Sequence, residues 1–155
     1  MINGHFYFIK DEFYESLKGC GLMTNKEKDA SGSHNRPCHY CFIYEGLFWM
    51  VPISSQVKKY QDIYDRKIKK RGFCDTIRFG YVNGKKSAFL LQNAFPVTQE
   101  YIDCEYAVNH GTVPVVVNKK LSKELNALLR KIIRLYESGT NLTFVDLDTI
   151  LKHLH

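Results

Sequence analysis

Residues 47–70, LFWMVPISSQVKKYQDIYDRKIKK, join an apolar segment to a lysine-rich one. The first part is rich in aromatic and β-branched side chains and predicts a buried strand that ends near Pro52. From residue 55 to residue 70 the apolar residues recur at helical spacing, with basic side chains on the opposite face. Ser54 and Ser55 stand between the two elements. Because a helix N-terminus presents unpaired backbone N–H groups, this junction predicts an anion site that suits a phosphate.

The elements around this junction place the chain in the α+β class. β-prone segments are joined by Glu-Gly at residues 45–46 and by Asn-Gly at residues 83–84, and both dipeptides favour hairpins. Apolar stripes at helical spacing over residues 121–137 and 144–154 predict a C-terminal pair of helices. Antiparallel hairpins with helices inserted or following predict a small twisted, barrel-like sheet with peripheral helices.

The length and composition predict one ordinary globular domain. A chain of 155 residues can bury a single core, so we expect residues 1–155 to form one domain. Residues 24–35, TNKEKDASGSHN, are polar and turn-prone and predict a mobile surface loop. No apolar run approaches the roughly 18 residues that span a bilayer, and the N-terminus lacks a signal-peptide pattern. With five cysteines, an odd number, we expect reduced thiols, a cytoplasmic location and no membrane partner.

The charge favours a polyanionic partner. Lysine and arginine number 22 against 16 acidic residues, a formal net charge of +6 that attracts phosphates over a long range. Aromatic residues make up 14% of the chain, enough to supply both a core and stacking faces for unpaired bases. Walker, G-x-G-x-x-G, H-E-x-x-H and G-x-S-x-G motifs are missing from the sequence, which excludes the commonest nucleotide-binding, metalloprotease and hydrolase signatures.

The two serines of the junction have two interpretations. A serine at the start of a helix often does no more than cap it, which would explain Ser54. Alternatively, Lys58 and Lys59, one helical turn later, bring ammonium groups to the same hydroxyl and N–H donors. Preorganised donors that converge in this way stabilise the transition state of a phosphoryl transfer. Without that role, the two lysines belong to a solvated helix face.

Further candidates surround an aromatic strand that precedes the junction. His39 is a conditional acid–base partner, since imidazole titrates near neutral pH. Arg36, just before Pro37, is either a phosphate clamp or an ordinary loop arginine. Cys38 and Cys41 form a C-x-x-C pattern, yet residues three apart in a strand point to opposite sheet faces. We therefore expect buried thiols, no metal site and no cofactor.

Four short motifs resemble the toxin ribonucleases of type III toxin–antitoxin systems, the ToxN and AbiQ family, with the CptN and TenpN branch nearest. They are FYFI at residues 6–9, the Arg36–Pro37 pair, WMVPISSQVKKY at residues 49–60 and QNAFPVT at residues 92–98. The serine block is the specific one, and the C-terminal helices match only in kind. The family commonly has a proline and a lysine directly after the serines, whereas here Gln56–Val57 intervenes, so Lys58 and Lys59 both fit the catalytic lysine.

The resemblance implies a barrel-like toxin-ribonuclease sheet and a metal-independent endoribonuclease that leaves 2′,3′-cyclic phosphate and 5′-OH ends. It implies a small structured RNA antitoxin that inhibits the toxin and is processed by it from a repeat transcript. Cellular or phage RNA substrates, phage resistance and a higher-order protein–RNA assembly belong to the same expectation. The catalytic candidates are Ser54, Ser55, Lys58 or Lys59, and conditionally His39.

A residue of the first helix often lines the site in this family, and Tyr14 and Phe13 are equal candidates for it. The expected RNA-binding residues are Arg36, Tyr60, Arg66, Lys67, Lys69, Lys70, Gln92 and Asn93. Tyr60 is a base-stacking candidate that fits the core equally well, and the two amides after the strand either read base edges or cap a turn.

Two other functions stay open from the residues alone. A non-catalytic RNA-binding module needs only the basic helix and the aromatic residues. A thiol or zinc protein would use Cys38 and Cys41.

Overall fold

The structure is a computed structural model that describes residues 1–29 and 32–155. The helices are α1 (Asp11–Ser16), α2 (Val57–Arg71), α3 (Lys119–Glu137) and α4 (Leu147–Leu154). The strands are β1 (Phe6–Ile9), β2 (Lys26–Asp29), β3 (Gly32–Asn35), β4 (Cys38–Tyr44), β5 (Leu47–Ser54), β6 (Ile77–Val82), β7 (Lys85–Leu90), β8 (Phe95–Val97), β9 (Ile102–Glu105), β10 (Ala107–Val108) and β11 (Val113–Pro114). Single 3₁₀ turns cover Leu91–Asn93 and Gln99–Tyr101.

The main sheet is antiparallel and open. Its strands follow the order β6-β7-β5-β4-β1-β9, and β8 pairs with β5 beside this path. In the part of the chain that the structure describes, the outermost strands β6 and β9 do not pair with each other. The α+β class, the antiparallel sheet and the C-terminal helices are confirmed, but the sheet does not close into the expected barrel.

β5 occupies the middle of this sheet and changes neighbours along its length. One edge pairs with β4, while the other edge pairs first with β8 at Phe48–Met50 and then with β7 at Ile53 and Ser54. Pro52 is opposite Cys38 of β4 and, on the other edge, lies between these two stretches, a position that tolerates a residue without an N–H. The change of partner brings the serine end of β5 next to β7.

The two predicted hairpin turns are confirmed. Glu45 and Gly46 join β4 to β5 with φ values of 50° and 79°. Asn83 and Gly84 join β6 to β7 with φ values of 50° and 78°. Two consecutive residues with positive φ define the type I′ turn, whose twist matches that of the flanking strands.

The predicted helices are present, with shifted starts. α2 ends at Arg71 and is capped by Gly72, whose φ of 83° is the left-handed conformation that glycine adopts most easily. The last helix begins at Leu147, three residues later than predicted, because Asp146 accepts the N–H of Thr149 as its N-cap. Phe144, predicted on the apolar stripe of this helix, therefore lies outside it and is 67% exposed.

The predicted loop at residues 24–35 instead contains a β-hairpin. β2 and β3 pair from Lys26 with Asn35 to Asp29 with Gly32. Residues 30 and 31 lie outside the described residues. The segment has few β-forming residues, so tertiary contacts must hold the hairpin. Glu27 provides them from a buried position, through its contacts with Arg36, Ser54 and Ser55.

The apolar interior has two parts. The larger core lies between the main sheet and helices α1, α3 and α4. A smaller cluster joins α2 to β6 and β7 through Tyr60, Cys74, Ile77, Ala88 and Leu90. Throughout residues 1–29 and 32–155, every helix is too short or too polar to cross a bilayer.

Candidate functional site

The serine junction has a different role for each of its two hydroxyls. Ser54 is 2% exposed, and its hydroxyl accepts the Gln56 N–H at 3.1 Å and donates to Glu27 at 3.3 Å. The hydroxyl and the N–H of Ser55 both donate to Glu27 Oε1 at 2.7 Å. Gln56 occupies the N-cap position of α2, so neither serine is the simple helix cap that one interpretation predicts. Ser55 is exposed and lines a cleft.

Glu27 is held in place by a buried ion pair with Arg36. Both side chains are almost fully buried, and Arg36 Nη1 lies 3.2 Å from Glu27 Oε2. The same guanidinium donates to the backbone oxygens of Ile53 at 2.7 Å and Thr24 at 2.9 Å. Arg36 therefore fastens the β2–β3 hairpin to the end of β5. The burial of Arg36 and the internal partners of its Nε and Nη1 atoms contradict the prediction that it clamps an RNA phosphate.

The cleft beside Ser55 has a volume of about 830 Å³. Glu27 and Ser55 line it together with Lys85 and Lys86 at the start of β7. Phe8 and Tyr106 supply apolar wall, and Asp103 adds a carboxylate. The two lysines are exposed, so their ammonium groups are available to an anion in the cleft.

His34 also lines this cleft, from the β2–β3 hairpin. It is directly opposite Glu27 in the strand register, which puts both side chains on one face of the hairpin. The Nδ1 atom of His34 lies 3.0 Å from the Asn35 carbonyl oxygen. Because a carbonyl only accepts, Nδ1 carries a proton in this geometry.

His39 lies in the core instead of the cleft. Its ring is fully buried between those of Phe6 and Phe89, and its Nδ1 lies 3.3 Å from Cys41 Sγ. Burial lowers the pKa of His39 to about 4, because the apolar surroundings disfavour the charged ring. A neutral, enclosed imidazole cannot exchange protons with RNA, so the proposed acid–base role of His39 is wrong.

The C-x-x-C cysteines are buried free thiols. Cys38 interacts with the Tyr14 hydroxyl and Cys41 with His39, as expected for side chains on opposite sheet faces. Burial raises the pKa of Cys38 to about 12 and also raises that of Cys41, so both thiols stay protonated. Among the residues that the structure describes, no group of three His, Cys, Asp or Glu side chains is placed to hold a metal ion.

Neither of the two site candidates of α1 lines the cleft. Phe13 is fully buried in the main core, where it packs against Phe95. Tyr14 packs on the same phenylalanine, and burial raises the pKa of its hydroxyl.

The basic side chains of α2 are mostly exposed, as predicted. Lys67 is the exception, since its ammonium donates to Thr76 Oγ1 at 3.0 Å. The exposed members are Lys58, Lys59, Arg66, Lys69, Lys70 and Arg71. With a rise of about 1.5 Å per residue, they extend roughly 20 Å from the serine junction.

Three residues predicted to bind bases or RNA are buried. Tyr60 is 7% exposed and belongs to the small cluster under α2, which supports the core interpretation over stacking. Gln92 and Asn93 form the buried 3₁₀ turn between β7 and β8, and the backbone of Gln92 bonds to Thr76 and Phe144. The prediction that these two amides read base edges is therefore wrong.

Four residues of the cleft are not predicted from the sequence. Glu27 and His34 fall in the segment whose composition predicts a loop. Lys85 and Lys86 directly follow the Asn83–Gly84 turn, so the predicted hairpin already placed them at a strand end. The signal that was lacking is the pairing of β7 with the serine end of β5.

Comparison with known proteins establishes the fold. No protein-family model matches the chain, and no curated protein matches its sequence. Among solved structures, the chain has the same α+β architecture as an endoribonuclease from a toxin–antitoxin system. That protein is AbiQ, described as a lactococcal anti-phage endoribonuclease belonging to the type III toxin–antitoxin system. The match has a TM-score of 0.66 at 12% identity and covers 97% of this chain and 94% of AbiQ.

Proposed function

We propose that this chain is the toxin of a type III toxin–antitoxin system and acts as a metal-independent endoribonuclease. The observation that carries the proposal is the exposed Ser55 hydroxyl, which lines a cleft together with His34 and two lysines. The similarity to the AbiQ fold and the sequence motifs that resemble the same family support it.

In the proposed reaction the ribose 2′-OH attacks the adjacent phosphorus, leaving a 2′,3′-cyclic phosphate and a 5′-OH. Such a reaction needs a base for the attack, an acid for the leaving oxygen, and cations for the charge that develops on phosphorus. Ser55 positions the reacting nucleotide. Lys58 or Lys59, at the start of α2, neutralises the developing charge. Lys85 and Lys86 serve the same purpose from β7, and His34 replaces His39 as the acid–base partner.

RNA is the proposed partner as well as the substrate. The exposed basic face of α2 extends from the catalytic junction and suits a phosphate backbone. A small structured RNA antitoxin bound there would cover the cleft and inhibit the toxin, which processes it from a repeat transcript. We further propose a cytoplasmic location, cellular or phage RNA substrates and a higher-order protein–RNA assembly. A short tandem repeat next to the gene would encode the antitoxin.

Cleavage of a mixed-sequence transcript in EDTA tests the activity. The wild type is expected to cleave it and leave 2′,3′-cyclic phosphate ends, whereas His34→Ala should lower the rate about 10²-fold or more. His110→Ala is the matched control, because His110 is an exposed histidine that does not line the cleft.

A non-catalytic RNA-binding module is the second candidate, since the exposed basic face of α2 can hold RNA without Ser55 or His34. The same experiment separates the two functions. If the transcript stays intact at large protein excess but comigrates with the protein, the nuclease proposal is rejected and the binding module is retained.

A further inference from the structure

The hydrogen bonds around Ser55 restrict what its hydroxyl can do in the cleft. The oxygen lies 2.7 Å from Glu27 Oε1, and the same carboxylate faces the Arg36 guanidinium at 3.2 Å. A carboxylate in this setting is an acceptor only, so the single proton of the Ser55 hydroxyl is directed at Glu27. Toward an RNA ligand in the cleft, the Ser55 oxygen is then a hydrogen-bond acceptor through its lone pairs.

A phosphate oxygen is itself an acceptor and gains nothing from such a serine. The ribose 2′-OH is a donor, and it distinguishes RNA from DNA. We propose that Glu27 is a positioning residue that fixes Ser55 as the acceptor for the nucleophilic 2′-OH. This inference rests on the proposed ribonuclease function and assigns the proton path that the proposed reaction leaves open.

The proton transfers balance along this path. As the O2′–P bond forms, the 2′-OH proton passes to Ser55 Oγ and the Ser55 proton passes to Glu27 Oε1. The P–O5′ bond breaks, and the leaving O5′ receives a proton from the protonated ring of His34, which lines the cleft and becomes neutral. Glu27 never touches the RNA in this scheme and acts only through Ser55.

The burial of Glu27 supports an orienting role. It is 5% exposed, and besides both Ser55 donors it accepts the Ser54 hydroxyl at 3.3 Å. A side chain held by a guanidinium and three donors is preorganised and keeps the Ser55 hydroxyl in one rotamer.

The test uses a cleavage site mapped in a mixed-sequence transcript and two inert oligonucleotides that end at that site in a 3′-phosphate. One carries ribose and the other 2′-deoxyribose at the last nucleotide. The wild type should bind the ribose form about 3–10-fold more tightly, the range expected for one hydrogen bond. Ser55→Ala and Glu27→Ala should each reduce this preference to below twofold, while Glu12→Ala, an exposed glutamate of α1, should retain it.

The cleavage rates give a second readout. The cleavage rates of Ser55→Ala and of Glu27→Ala should each fall about 10²-fold or more. The double variant should cleave no more slowly than either single variant, because the two residues act as a unit. Formate should partly restore Glu27→Ala but not Ser55→Ala. If Glu27→Ala does not fold, the double variant Glu27→Ala with Arg36→Met is used in its place, because it removes both buried charges.

The outcomes are distinguishable. If a folded Glu27 variant keeps the ribose preference and the full rate, this inference is wrong while the proposed function stands. If the wild type cleaves no RNA at all, the proposed function fails and the inference fails with it.

Discussion

At the scale of single residues, His39 illustrates how burial overrides chemical type. Its pKa is lowered to about 4 by burial, whereas an exposed histidine of the unfolded chain titrates near 6.5. The unfolded state therefore binds more protons between these pH values, and stability falls as the pH falls from about 6.5 to about 4. Over that window the loss should amount to about 3 kcal/mol.

Urea denaturation of the wild type and of His39→Gln from pH 4 to pH 7 measures this contribution. Carboxylates titrate in the same range in both proteins, so the difference between the two curves isolates His39. The wild type should lose more stability on acidification than the variant. His110→Gln, which changes an exposed histidine, should follow the wild type, and parallel curves for wild type and His39→Gln would contradict the prediction.

At the scale of secondary-structure elements, local signals predict most of the fold. The Asn83–Gly84 turn and the apolar stripe of α3 depend on neighbouring residues alone, so sequence reveals both. The β2–β3 hairpin depends on Glu27 reaching a partner elsewhere, and its own composition indicates a loop. The same limit applies to the site: Ser55 follows from the local strand-to-helix pattern, while Glu27 and His34 require the tertiary structure.

The hairpin also gives a prediction about stability. Arg36→Met leaves the Glu27 carboxylate buried without its cation, which should lower the free energy of unfolding by about 3–5 kcal/mol. Because Arg36 also bonds to Thr24 and Ile53, the loss of stability should appear first as faster hydrogen exchange of the β2 and β3 amides.

Arg134→Met is the matched control, since this exposed arginine lies in the last turn of α3. It should change the free energy of unfolding by less than about 0.5 kcal/mol. Unchanged protection of the hairpin amides in Arg36→Met would mean that the ion pair does not hold β2–β3 in place.

At the scale of the whole molecule, the net charge of +6 alone does not say where RNA lies. Two helices each offer several exposed lysines. One is α2, which leads directly from Ser55, and the other is α3, which packs against β4 and contributes nothing to the cleft lining within the described residues. If RNA follows α2, its phosphates release counterions there, and the affinity should depend on salt through those lysines in particular.

Replacing Lys59, Lys69 and Lys70 by Ala should reduce the slope of log affinity against log salt by about 2, since each lost contact with single-stranded RNA removes about 0.7. The matched variant replaces Lys119, Lys120 and Lys123 of α3, so that the net charge changes equally. Binding of an inert 2′-deoxy oligonucleotide at several salt concentrations measures both slopes. Equal slopes would show a general charge effect, whereas a smaller slope in the α2 variant alone identifies this helix as the path of the phosphate backbone.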